Sequence, residues 1–247
     1  MTDDHRSARS VQGSLRYSSL PDVSAVPSLA PDMIQMAQTT PVLRMARRVL
    51  AIVTPGTEAE SIVAEFIAER FRVAYGARPS LRIPQLMALM TEEGRLLAAV
   101  GIREAGEQAL FLEDYLDRPI EACLPDSGPR HRVAEIAHLA GVENGVSRVL
   151  FPALTLWLYD QGFRWAVFTG TEQLRNSFGR LGIDIHHLGE ARPECLADGG
   201  RGWGAYYSHR PCVLAGNVDR SYHGLQASGL LRAVEFIQRE EHYERSA

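Results

Sequence analysis

Residues 132–182 read RVAEIAHLAGVENGVSRVLFPALTLWLYDQGFRWAVFTGTEQLRNSFGRLG and decide the fold. The stretch parses as strand, loop, helix, strand, helix. Residues 132–139 form the first strand, with β-branched and apolar residues around Glu135 and His138. Asn144-Gly145 then opens a helix. Its apolar positions Val149, Leu150, Ala153, Leu154, Trp157 and Leu158 recur at i, i+3 and i+4, which gives one buried stripe. Gly162 stops it, since glycine enters the left-handed cap conformation without a Cβ penalty. Residues 163–169 are nearly continuous in apolar character, as in a strand covered on both faces. Thr171 starts a second helix carrying Leu174, Phe178 and Leu181, ended by Gly182. Two strands joined by a helix make a βαβ unit, normally parallel and right-handed. Ligands of such sheets lie beyond the carboxyl ends of the strands, here residues 138–144 and 169–176.

Outward from this unit, the 247-residue chain is 45% hydrophobic and 23% charged, which suits one globular domain with an ordinary core. A formal charge of −4 gives no basic footprint for nucleic acid. The apolar runs are too short to span a membrane, and no secretory h-region is visible, so the expected location is cytoplasmic. Cys123, Cys195 and Cys212 have no metal-ligand spacing and form no even set, which suits reduced thiols. His186 and His187 are adjacent in a strand-like segment and face opposite ways, which argues against a shared metal. No metal and no tightly bound cofactor are expected.

Residues 1–45, rich in Ser, Pro, Asp, Gln and Thr, read as a disordered tail. Residues 45–53 form a first strand. Thr57-x-x-Glu60 is a capping box for a helix that turns Ile62, Val63, Phe66, Ile67 and Phe71 inward and ends near Gly76. Residues 85–91 and 95–103 pair as a hairpin around Glu92-Glu93-Gly94. Residues 109–115 are extended and lead into an acidic stretch. After 182, residues 184–188 form a strand, 205–208 and 212–218 one or two more, and 225–243 a terminal helix. The fold class is thus mixed α/β: a central, mostly antiparallel sheet with one parallel pair and helices on both faces. Residues 46–218 form the domain, and 219–247 a C-terminal helix packed on it or extending it.

This order, with Asn176-x-Phe178-x-x-Leu181-Gly182 closing the unit, resembles the GNAT superfamily of N-acyltransferases. A closer resemblance, over about 45–218, is to the thermostable hemolysin family, GNAT-like and related in fold to acyl-homoserine-lactone synthases. The segments LFLEDYLDRPIE (110–121), EIAHLA (135–140), FTGT (168–171) and WGAYY (203–207) carry it. The resemblance implies a splay between the two parallel strands that receives an acyl thioester, with the following helix taking the donor's pyrophosphate. Two departures matter. The loop 141–148, GVENGVSR, is poor in the glycines a pyrophosphate needs for close backbone approach, and Glu143 sits in it. Phe178 stands where many GNAT enzymes place a tyrosine that protonates the leaving thiolate.

The expected chemistry is amide formation from a phosphopantetheine thioester and a small-molecule amine, in secondary metabolism. The donor is carried on an acyl carrier protein in preference to coenzyme A, because a compact pantetheine arm suits the degenerate loop better. Glu135, buried in an apolar strand, and His138, near its carboxyl end, are the candidate bases. On a regular strand they face opposite ways; a bulge changes that. Pairing of Glu135 with Arg103 or Arg132 is the structural alternative. Leu139 or Ala140 offers a backbone amide to the oxyanion. Asn144, Gly145, Ser147, Arg148, Thr169 and Asn176 are the donor-binding candidates. Arg103, Glu113, Asp114 and Trp165 are assigned to the acceptor, the acidic pair suiting a cationic amine, with a solvated acidic loop as the plain alternative. The rival readings are a synthase using S-adenosylmethionine like the acyl-homoserine-lactone enzymes, a membrane-active lytic protein, and a catalytically silent binding module.

Overall fold

The computed structural model describes residues 32–80, 85–142 and 145–237. Among the described residues, nine strands form one sheet: β1 (Thr39–Met45), β2 (Arg48–Val53), β3 (Gln85–Thr91), β4 (Leu96–Glu104), β5 (Val133–Gly141), β6 (Trp165–Gly170), β7 (Ile185–Glu190), β8 (Cys212–Asn217) and β9 (Val234–Phe236). The spatial order is β7-β8-β6-β5-β4-β3-β2-β1-β9. Only β5 and β6 are parallel; all other neighbours are antiparallel. The expected mixed sheet with one parallel crossover is therefore present.

Helices cover both faces, so the central strands β3 and β4 bury both sets of their alternating side chains. On one face α1 (Glu58–Tyr75) packs Val63, Phe66, Ile67 and Phe71 against Leu86, Ala88 and Met90. On the other, α3 (Ser147–Asp160) packs Leu150, Leu154 and Trp157 against Met87, Leu89 and Val100. The α3 stripe is the one the periodicity marked. The short α2 (Ile120–Cys123), α4 (Glu172–Arg180) and α5 (Val218–Ala227) complete the set.

Several expectations change. Within the stretch read as a tail, residues 39–45 form β1, and Ile34 is buried, its N–H donating to Gly94 O at 2.9 Å. Gly94 allows this approach: at φ +89° a Cβ there would lie 2.3 Å from Ile34 O. The continuous terminal helix expected over 225–243 is replaced by α5, which starts earlier and is capped by Asn217 Oδ1 accepting from Arg220 N, followed by β9 pairing with β1. Residues 238–247 lie outside the described residues. The extended segment at 109–115 is a 3₁₀ turn over Phe111–Tyr115, and the strand at 205–208 is another over Tyr206–His209. The capping box at α1 does not form: Glu60 reaches back past Thr57 to Gly56 N at 2.7 Å, and the Thr57 hydroxyl donates to Thr54 O.

Candidate active site

The parallel pairing of β5 and β6 is short. It runs through Val133↔Trp165, Ala134↔Ala166 and Glu135↔Val167 and then stops. Beyond that point β5 stays with β4, through Ala140↔Ala99 and Gly141↔Ala98, while β6 stays with β8, through Thr169↔Val213 and Gly170↔Cys212. The two strands part toward their carboxyl ends. A cavity of about 290 Å³ fills the gap and reaches both faces of the sheet. Its edges are Ile136, Ala137, His138 and Leu139 from β5 and Phe168, Thr169 and Gly170 from β6.

The chamber on the α1 face is aromatic. Phe71, Tyr75, Phe111, Tyr115, Trp203 and Tyr206 line it. Trp203 and Tyr206 arrive on the long connection between β7 and β8, which is tied to the end of α1 by Ala205 N donating to Tyr75 O at 2.7 Å. Tyr115 and Tyr207 hydroxyls meet at 2.7 Å. The chamber on the α3 face is mostly aliphatic, with Leu154, Leu158, Leu174, Ile183, Ile185 and Val218. Phe178 lies on this side, stacked on Phe151 with ring centroids 4.3 Å apart. The position that lacks a hydroxyl is therefore part of an apolar wall.

His138 sits at a bulge. The β4–β5 register shifts between Ala99 and Gly101, and His138 takes φ +52°. A residue other than glycine seldom takes that conformation, though histidine enters it more readily than most, and strain of this kind collects at functional sites. The bulge brings His138 to the same cavity as Glu135, the condition under which the two share a site. The imidazole is edge-on to Phe71 at 5.8 Å and stacked near Trp203 at 6.1 Å. Among the described residues it has no protein hydrogen-bond partner. Burial, and then the Arg103 charge, push it down to about 4, so it is neutral near pH 7.

Glu135 is 2% exposed and its oxygens are held. Oε2 accepts from Arg103 Nη1 at 2.9 Å and Phe111 N at 3.0 Å, and Oε1 from Leu112 N at 3.0 Å. Burial pushes its carboxyl up, against the pull of Arg103 and the two amides. The contact with Arg103 is the pairing weighed as the structural alternative, and it anchors the turn that carries Phe111 and Tyr115 into the cavity.

The other candidates divide. Leu139 and Thr169 line the cavity, and Ala140 is buried beside them on β5. Gly145 takes φ +98° just before α3, with Ser147 half-buried and Arg148 exposed at its start. Asn144 and Glu143 lie outside the described residues. Asn176 is exposed on α4 and is not on the cavity wall. Glu113 faces elsewhere: its carboxylate takes Arg130 Nη2 at 2.6 Å and the amides of Leu110 and Ile120 at 2.9 Å each. Burial pushes this carboxyl up, but Arg130 and the two amides win and hold it below the usual range. Asp114 is exposed, and Trp165 is buried off the cavity, edge-on to His186 at 5.4 Å. Of the aromatic chamber residues, Trp203 and Tyr206 read from the sequence as lining an acyl pocket or simply packing, and Phe71 as an inward core position of α1. Their aromatic character was the signal, and core packing explains it equally well.

Nine strands in this order, with one parallel pair that splays, define a GNAT-like fold. The chain belongs to the thermostable hemolysin family, whose family model matches residues 53–222. No curated protein sequence matches it. Among solved structures, it is similar to FeeM, an N-acyl amino acid synthase from uncultured soil microbes, with TM-score 0.52 and 14% identity over 74% of this chain and 97% of that one. It is also similar to the AHL synthase LasI, with TM-score 0.50 and 13% identity over 78% and 98%. At these identities the likeness is one of fold. No helix among the described residues is long and apolar enough to cross a membrane.

Proposed function

We propose that this protein is an N-acyltransferase that moves an acyl group from a phosphopantetheine thioester to a small-molecule amine. The observation that carries this reading is the gap after Glu135↔Val167, where an apolar cavity opens between two strand ends. A thioester carbonyl fits between parted strands, with a backbone amide of Leu139 or Ala140 to hold the oxyanion. The acyl chain lies in the aliphatic chamber under α3 and α4, and the amine enters from the aromatic side. The likeness to FeeM, an N-acyl amino acid synthase, and to LasI, an AHL synthase, supports the same class.

In the reaction the amine lone pair attacks the carbonyl carbon. The C–N bond forms, the C–S bond breaks, and the thiolate takes a proton from water, since Phe178 has none to give. His138 takes the amine proton; it is neutral near pH 7 and, among the described residues, has no protein hydrogen-bond partner. Glu135 positions the wall through Arg103 and the 111–115 turn. Leu139, Ala140, Gly145, Ser147 and Thr169 flank the donor arm. The donor is a carrier protein, and the pathway one of secondary metabolism, because the 141–148 loop has little glycine for a pyrophosphate.

The experiment offers the full chain a panel of acyl groups, once on coenzyme A and once on a phosphopantetheinylated carrier protein, with a pool of amines. Intact mass reports acyl loss. Loss from the carrier alone is the expected result. Loss from coenzyme A alone overturns the donor assignment, and loss from neither overturns the acyltransferase reading.

A further inference from the structure

We propose that His187, Glu190 and Cys212 bind one divalent cation of the borderline-soft class, zinc(II) foremost, at the neck of the 191–211 connection. The proposal stands apart from the acyltransferase reading. Adjacent histidines on a strand do face opposite ways, so His186 and His187 share nothing. His187 instead meets partners that spacing does not reveal. Residues three apart on a regular strand also face opposite ways. Here the β7–β8 register shifts between His187 and Gly189, and this bulge returns His187 and Glu190 to one side. Cys212, the first residue of β8, pairs with Glu190 across the sheet and completes the group.

The three ligand atoms lie within 4.8 Å of one another. His187 Nε2 is 3.3 Å from Glu190 Oε1, and Cys212 Sγ is 3.9 Å from each Glu190 oxygen. Tetrahedral zinc with bonds of about 2.0 Å to N and O and about 2.3 Å to S separates its ligands by about 3.3–3.5 Å. The nitrogen and oxygen already stand at that spacing, while the sulfur, 3.9 Å from the Glu190 oxygens and within 4.8 Å of the His187 nitrogen, must close in toward both. Imidazole, carboxylate and thiolate suit a borderline metal and disfavour calcium or magnesium. Burial, then the Glu190 carboxylate, push the Cys212 thiol up, while the nearby Arg175 and Arg210 pull against them. A dication with one thiolate and one carboxylate is neutral, so neither arginine repels the complex. Binding displaces the Cys212 thiol proton to solvent.

The location gives the site a consequence. Glu190 and Cys212 are the last residue before and the first residue after the connection that carries Trp203 and Tyr206 to the cavity. Its neck is otherwise closed by Ala191 N donating to Pro211 O at 3.0 Å. A bound ion ties the two stems together through side chains.

The probe is cobalt(II) titrated into the full chain. One equivalent should give a thiolate-to-cobalt charge-transfer band, bleached by zinc(II). Cys212→Ser should abolish the band, and His187→Gln and Glu190→Gln, both at exposed positions, should weaken binding at least about tenfold, the lower end of what losing even an outer partner costs. Zinc(II) should also slow proteolysis within 196–204 in the parent and not in Cys212→Ser. No band, or a band surviving Cys212→Ser and so owed to Cys123 or Cys195, overturns the site. A band lost in Glu190→Gln with unchanged proteolysis overturns the tie across the neck.

Discussion

Arg103 on β4 and Glu135 on β5 stand directly opposite each other, with Nη1 2.9 Å from Oε2 and both side chains buried. Because the same carboxylate accepts the amides of Phe111 and Leu112, the pair ties two strands to the turn on the cavity wall. Removing one partner of a buried pair typically costs about 3–5 kcal/mol, while removing both costs less than the sum. Glu135→Leu should therefore fall in that range by urea unfolding. Combined with Arg103→Met it should show a coupling of at least about 1 kcal/mol. Strictly additive losses would mean that the two side chains are held by other neighbours.

His138 should make the protein acid-sensitive. Its folded pKa, about 4, lies below the unfolded value near 6.5. Between these values the unfolded chain holds a proton the folded one does not, so stability rises with pH there. The contribution is fully present above about 6.5 and is lost as pH falls through 4. At 1.36 kcal/mol per unit the full swing is about 3 kcal/mol. His138→Asn should flatten the stability–pH curve in this window while keeping a residue type that tolerates the left-handed backbone. It should also lower kcat/KM by about 10² or more, as removal of a general base does. An unchanged slope in the variant would assign the acid sensitivity to other groups.

The fold was legible where local chemistry and packing agree. Gly162 and Gly182 close helices whose apolar spacing marks the face they bury, and a continuous apolar run marks β6. β1 was not legible, since Thr39-Thr40-Pro41 looks like turn chemistry and becomes a strand only by pairing with β2. The site divides the same way. Burial of Glu135 follows from its apolar neighbours. The bulge at His138 depends on the register against β4, and the meeting of His138 with Trp203 depends on a connection 65 residues downstream, so neither is visible locally.

Gly204 is the hinge of that connection's docking. At φ +52° its absent Cβ would lie 2.2 Å from Tyr75 O and 2.8 Å from Gly76 C. Both obstacles are backbone, which cannot rotate aside. Gly204→Ala should destabilise by more than about 1 kcal/mol, because the native conformation is incompatible with a side chain. It should also change the Trp203 fluorescence, since the ring leaves its stack on Phe111 at 5.8 Å. A variant with parent stability and spectrum would show that the connection docks without this contact.

Val218 lines the aliphatic chamber. It opens α5, is 2% exposed, and stands with Leu158 and Ser221 beside Ala166 and Gly216, at the end of the cavity far from the strand splay. Val218→Phe adds volume there, which overpacking makes mildly destabilising, by about 1–3 kcal/mol. If the acyl chain occupies this chamber, the ring takes the room of about two methylenes. Each unburied methylene forfeits about 0.8 kcal/mol, so the longest accepted donors should lose roughly tenfold in kcat/KM. Short donors, whose chains stop before Leu158, should keep nearly all of theirs. The discriminating quantity is the ratio between chain lengths, measured at a temperature where the variant is fully folded. An equal loss at every length would place the chain in the aromatic chamber and the amine under α3, reversing the two sides of the site.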